Sequence, residues 1–179
     1  NIGTKVSYDG GNKNQFLPTK LSLGTGLLYP LDDYNQIGVY LDLSKYLVPS
    51  APVQTGSTPE EIEEYNKKYE DYNNMSPITG IFKSFGDSPN GFKGELEEIM
   101  ASIGVEYNYN EQFFVRGGYY YENKYQGNRQ YFSVGAGFRM SVFQLDAAYL
   151  ISTVQSNPLD QTLRFSLSFD MDGIRNLFR

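Results

Sequence analysis

Thr162–Asp172 reads T-L-R-F-S-L-S-F-D-M-D, and its alternation decides the class of fold. Leu163, Phe165, Leu167, Phe169 and Met171 alternate with Thr162, Arg164, Ser166, Ser168 and Asp170. Successive side chains of a β-strand point to opposite faces, so the segment is expected to form a ribbon with one oily and one polar face. Soluble sheets alternate in the same way. The other strands, and the face on which their charges fall, must decide what surrounds the sheet.

The pattern recurs upstream. Phe143, Leu145, Ala147, Tyr149 and Ile151 oppose Gln144, Asp146, Ala148 and Ser152, and Phe132, Val134, Ala136, Phe138 and Met140 oppose Ser133, Gly135, Gly137 and Arg139. Val115, Gly117, Tyr119 and Tyr121 oppose Arg116, Gly118, Tyr120 and Glu122; Ile99 to Tyr107 alternates likewise. Lys20–Tyr29 and Ile37–Ser44 read as a hairpin around Asp32–Asn35, and Ile2, Thr4, Val6 and Tyr8 look like the end of a further strand. The chain thus carries about seven whole strands and a stub, near the roughly 9–11 residues a tilted strand needs to cross a bilayer.

The alternation stops between Pro49 and Gly94. Thr58-Pro59-Glu60-Glu61 offers an N-cap, a proline at the first helical position and a capping-box glutamate, so a helix is expected to start there. Ile62, Tyr65, Tyr69 and Tyr72 fall on one stripe of it. An irregular stretch with Ile81, Phe82, Phe85 and Phe92 is expected to follow, making a long loop at 49–94.

Composition excludes several chemistries. The 179 residues contain no Cys, His or Trp, which removes disulfides, thiolate zinc sites, the usual general base and a Ser-His-Asp triad. No catalytic, cofactor or metal site is expected. The net charge of -6 argues against nucleic acid as a partner. No apolar run reaches the roughly 18–20 residues of a transmembrane helix, but a transmembrane barrel hides its signal in alternation, so the mean hydropathy of -0.48 does not exclude a membrane.

Two environments suit such strands: a lipid-embedded barrel with the oily face outward, or a soluble lipocalin-like barrel with it inward. Loop lengths favour the first. The turns at Asp32–Asn35, Asn108–Gln112 and Met140–Phe143 are short, whereas 9–18, 49–94, 127–129 and 156–160 alternate with them as the opposite set. Short periplasmic turns and longer extracellular loops are the outer-membrane pattern, which sets the C-terminus in the periplasm.

The residues also resemble a known family. Gly11–Thr19 (G-N-K-N-Q-F-L-P-T), the block from Asp33-Tyr34-Asn35 to Leu41-Asp42, Lys45–Pro49 (K-Y-L-V-P) and Gln155–Phe165 (Q-S-N-P-L-D-Q-T-L-R-F) are similar to the PorV family of type IX secretion. The resemblance implies a FadL-like, all-β, antiparallel outer-membrane barrel of 14 strands. This chain is then expected to be its C-terminal half, residues 1–179, with the missing strands supplied by another segment. It further implies a shuttle in the Bacteroidetes outer membrane, not an enzyme. The shuttle would receive cargo with a C-terminal signal domain from a giant SprA/Sov-like translocon barrel. It would then pass the cargo to an attachment complex with a PorU-like sortase, and membrane lipids would surround it. The alternative is a FadL-like transporter of hydrophobic small molecules.

Two groups of residues stand out as candidate sites. Glu106, Arg116, Arg139 and Asp146 face the polar side and are expected to be lateral neighbours in that order, either as a lumen layer lining a ligand path or as a charge ladder satisfying the barrel interior. Ile62, Tyr65, Tyr69 and Tyr72, with Ile81, Phe82 and Phe85, are candidates for partner contact, or else pack within the loop.

Overall fold

The computed structural model describes residues 5–7, 14–154 and 159–177. Ile2, Thr4 and Tyr8 of the expected stub, most of the first turn run and Gln155–Pro158 lie outside the described residues. The chain divides into two compact units: Asn1–Leu21 with Ser44–Glu98, and Ser22–Leu43 with Ile99–Arg179.

The first unit contains a two-stranded ladder, β1 (Val6–Ser7) with β2 (Asn14–Gln15), and three helices. Helix α1 (Pro59–Asn74) starts where the capping box is expected. The Thr58 side chain accepts the Glu61 amide, and the Glu61 carboxylate accepts the Thr58 amide at 3.0 Å. Such a cap contributes about 1 kcal/mol. The stretch expected to be irregular is helical instead, as α2 (Pro77–Lys83) and α3 (Gly91–Glu97). Ser76-Pro77 nucleates α2, the Ser76 hydroxyl accepting the Thr79 amide at 3.1 Å.

The sheet runs through β3 (Lys20–Pro30), β4 (Asn35–Tyr46), β5 (Met100–Tyr109), β6 (Phe113–Tyr121), β7 (Tyr131–Met140), β8 (Phe143–Ser152) and β9 (Leu163–Phe169). These seven strands are antiparallel and ordered as in the sequence, with β3 and β9 at the edges. The second unit is an all-β antiparallel sheet, and these strands alone do not close a barrel.

Register follows the alternation. One face carries the rung Tyr107–Val115–Ala136–Ala147–Phe165, and beside it Tyr109–Phe113–Phe138–Leu145–Leu167. The other face carries Glu106–Arg116–Gly135–Ala148–Arg164. Across β5–β8 the oily face is the more exposed one, with Ile103, Val105, Val134, Leu145 and Ile151 open, while the edge strands β3 and β9 are open on both faces. Ser102, Gly104, Glu106, Ser133 and Gly135 on the polar face are half-buried, and Gly137 is buried. Among the described residues the buried apolar side chains of this unit are Met100, Phe114 and Leu150. A soluble barrel of the lipocalin type needs the opposite arrangement. Exposed apolar rungs over many strands cost free energy in water and none in hydrocarbon.

The opening stretch needs one correction. β9 ends at Phe169, and Met171 opens a short helix, α4 (Met171–Leu177), rather than continuing the strand. Asp170 causes the break. Its carboxylate accepts the Asp172 amide at 3.0 Å and its carbonyl accepts the Ile174 amide at 3.0 Å, which starts a helical turn.

Candidate functional site: the charged face and the helical insertion

The polar face of β5–β8 centres on Arg116. Its Nε donates to Glu106 Oε2 and its Nη1 to Asp146 Oδ1, both at 2.5 Å. Glu106 is the direct register partner of Arg116, but Asp146 lies two strands away and pairs with Gly137. Arg139 does not sit beside Arg116: Gly135 does. Arg139 joins the group at one remove, donating to Gln144 Oε1 at 2.8 Å, while Gln144 donates to Asp146 at 2.8 Å. The four residues and Gln144 therefore form one connected network, ordered Glu106–Arg116–Asp146–Gln144–Arg139.

Phe114 supports both arginines. It breaks the alternation by following Phe113, lies on the polar face and is buried. The guanidinium groups of Arg116 and Arg139 stand 5.0 and 5.1 Å from its ring centroid, within cation–π range. Tyr120 and Tyr131 stack farther along the same face, 5.1 Å apart. The resulting trough, about 480 Å³, is lined by Tyr40, Asp42, Glu106, Arg116, Tyr120 and Tyr131. Its lining combines the Glu106–Arg116 ion pair and the Asp42 carboxylate with aromatic and strand-backbone surface.

A second ion pair closes the β6–β7 loop. Glu122 is fully buried and takes two hydrogen bonds from Arg129, at 2.5 and 2.8 Å. Gly127 has φ +148°, and a Cβ there would stand 2.9 Å from Glu122 Oε2. The glycine is what lets the loop wrap the carboxylate. No alternation signal marks Glu122 as special; the G-N-R run after it is the trace that sequence leaves.

The first unit holds its insertion by charge. Lys45, at the end of β4, donates to Glu95 and to Glu98 Oε2, the latter at 2.8 Å. The Ser88 amide donates to Glu95 Oε1 at 2.9 Å and the Ser50 amide to Asp87 Oδ2 at 2.6 Å. Burial alone would raise the Glu95 carboxyl; the bonds from Lys45 and Ser88 outweigh it and hold it below the ordinary range. At the far end of α1, Lys5 Nζ donates to the Tyr72 and Asn73 carbonyls at 2.8 and 2.9 Å, a cation on a helix C-terminus.

The α1 stripe is partly covered. Tyr65, Tyr69 and Tyr72 form a chain of rings 5.9 and 6.4 Å apart, and Tyr72 meets Phe16 edge-on at 5.2 Å. Ile62 is exposed, Ile81 is half-buried, and Phe82 and Phe85 are exposed. Among the described residues, no cluster of three acidic or other metal-binding side chains is placed to hold a metal ion.

With this geometry in place, residues 1–53 match the family model described as type IX secretion system protein PorV. The resemblance read from the sequence is borne out over that part of the chain. Gly11–Thr19, Asp33–Asp42 and Lys45–Pro49 fall inside the match, and Gln155–Phe165 falls outside it. No curated protein matches the chain.

Proposed function

We propose that this chain is part of an outer-membrane β-barrel that serves type IX secretion as a carrier. It receives cargo bearing a C-terminal signal domain from the translocon barrel and hands it to the sortase-containing attachment complex. One observation carries the reading: the chain whose residues 1–53 match PorV turns its apolar strand faces outward. Lipid is the solvent that suits such a face, and the secretion family supplies the task. The short turns at 31–34, 110–112 and 141–142 belong at the periplasmic end, with the insertion and the longer loops outside.

The ion network across the polar face favours a carrier over a FadL-like transporter. A hydrophobic ligand would have to pass Glu106, Arg116 and Asp146, whose desolvation is costly. The helical insertion is the element assigned to protein contacts, with the α1 stripe of Ile62, Tyr65, Tyr69 and Tyr72 as its first candidate.

The test is a detergent pull-down of the full-length protein from outer membranes, with bound proteins identified by mass spectrometry. A giant translocon barrel, or proteins sharing a C-terminal signal domain, is the expected catch. Recovery of the barrel alone with bound fatty acids would move the reading to the transporter, and a protein found in the soluble fraction would refute both. Deleting Glu60–Phe85 should leave a folded barrel while abolishing capture; undiminished capture would remove the insertion from the docking role.

A further inference from the structure

Helices α2 and α3 are amphipathic the wrong way round for water. In α2 the inward side holds Gly80 and Ser84, both buried, while Ile78 and Phe82 point out, Phe82 at 73% exposure. In α3 the inward residue is Gly94, and Phe92 and Leu96 point out, Phe92 at 79% exposure. Gly80 explains the inversion in part: a Cβ there would stand 2.6 Å from the Phe16 ring, so a small residue is required on the packed side. Nothing in that packing requires phenylalanine on the other.

Charge distinguishes this pair of helices from α1. Helix α1 carries Glu60, Glu61, Glu63, Glu64, Glu70 and Asp71 against Lys67 and Lys68. Helix α2 carries no acid, and α3 carries Glu95, bound by Lys45 and Ser88, and the half-buried Glu97. Lys83 and Lys93 stand next to Phe82 and Phe92 and form no ion pair among the described residues. Exposed aromatic and aliphatic side chains interleaved with unpaired lysines are the composition of a helix that lies in a membrane interface, its apolar face at the acyl boundary and its cations on anionic headgroups.

We infer that the outward faces of α2 and α3, through Ile78, Phe82, Phe92 and Leu96 with Lys83 and Lys93, seat on an anionic lipid surface. This rests on the membrane reading of the sheet. The insertion is then divided in labour, with acidic α1 left in water for proteins and α2–α3 on lipid.

The 179 residues contain no tryptophan, so one introduced here reports its own surroundings once any tryptophan elsewhere in the full-length protein is replaced by phenylalanine. Phe92→Trp, and separately Phe82→Trp, would be placed in the full-length protein and reconstituted into phosphatidylethanolamine vesicles containing phosphatidylglycerol, with and without brominated acyl chains. Phe165→Trp on β9 serves as the reference for the sheet itself. The expected result is blue-shifted emission quenched by brominated lipid at all three positions. At positions 82 and 92 it should weaken in vesicles lacking phosphatidylglycerol. Lys83→Gln and Lys93→Gln should each lower the ratio of seated to lifted insertion by about fivefold. Water-like, unquenched emission at 82 and 92 beside a quenched Phe165→Trp overturns this inference alone. An unquenched Phe165→Trp overturns the membrane reading with it. Shielding at 82 and 92 that appears only when a translocon protein is added also overturns it, by giving the surface to a protein.

Discussion

Arg116 on β6 reaches Asp146 on β8 at 2.5 Å, across the full width of β7. The strand between them allows it because position 137 is glycine. A Cβ built there would overlap Asp146 Oδ1 and stand 3.3 Å from Arg116 Nη1. The residue with no side chain is therefore what joins the charges into one network.

Gly137→Leu should break the bond between Arg116 and Asp146 while leaving Glu106 bound. Overpacking of this kind costs about 1–3 kcal/mol. Urea unfolding of the full-length protein in detergent or bilayer would measure it, and Asp146→Asn, which keeps the shape, should cost less. An unchanged midpoint for Gly137→Leu would mean that the network contributes nothing to stability.

Glu122 and Arg129 invite a different test, because one member is fully buried. Arg129→Met leaves a carboxylate in a site without a countercharge, and removing one partner of a buried pair costs about 3–5 kcal/mol. Glu122→Gln with Arg129→Met should recover much of that loss. The first sign expected is protease cleavage between 122 and 130. A double-mutant cycle with no coupling would show that the loop holds itself by its backbone alone.

The Lys45 anchor gives a pH dependence with a definite sign. The folded Glu95 carboxyl titrates below its unfolded value, so its contribution is complete above the unfolded pKa of about 4.3 and is lost as pH falls through the folded value. Proteolysis within 49–94 should therefore be steady near neutral pH and accelerate only in acid. Lys45→Met should make the insertion labile at neutral pH and flatten that acid response. A variant that keeps the full acid transition would locate it in another carboxylate.

The strands were legible because their period of two survives in the sequence, from Val134 and Ala136 to Leu163 and Phe165. What alternation could not tell was which face is exposed, since Leu, Phe and Tyr pack equally well inward. Counting across turns places Arg139 beside Arg116, but the β6–β7 register, set across the 122–130 loop, puts Gly135 there, and the connection at 141–142 puts Gln144 rather than Asp146 opposite Arg139. Helices α2 and α3 escaped because their packed sides are Gly80, Ser84 and Gly94, which leave no hydrophobic period of 3.6. Phe114 and Glu122 escaped for a related reason. Each is buried by tertiary neighbours, against a preference read from its own position.

The two faces of the sheet give the most direct check on what surrounds it. Ala136 sits mid-strand on the oily face, with Val115 and Ala147 as neighbours, and Ser133 sits on the polar face opposite Gly118 and Leu150. If lipid covers the oily face, Ala136→Arg places a charge near the bilayer midplane at a cost of about 2–4 kcal/mol. Ser133→Arg meets a face that already carries Arg116 and Arg139 and should cost clearly less. In water the order reverses, because an arginine on an exposed oily face would relieve apolar surface. Folding titrations of both variants in lipid vesicles would read the difference, and equal costs, or a stabilised Ala136→Arg, would take the sheet out of the membrane.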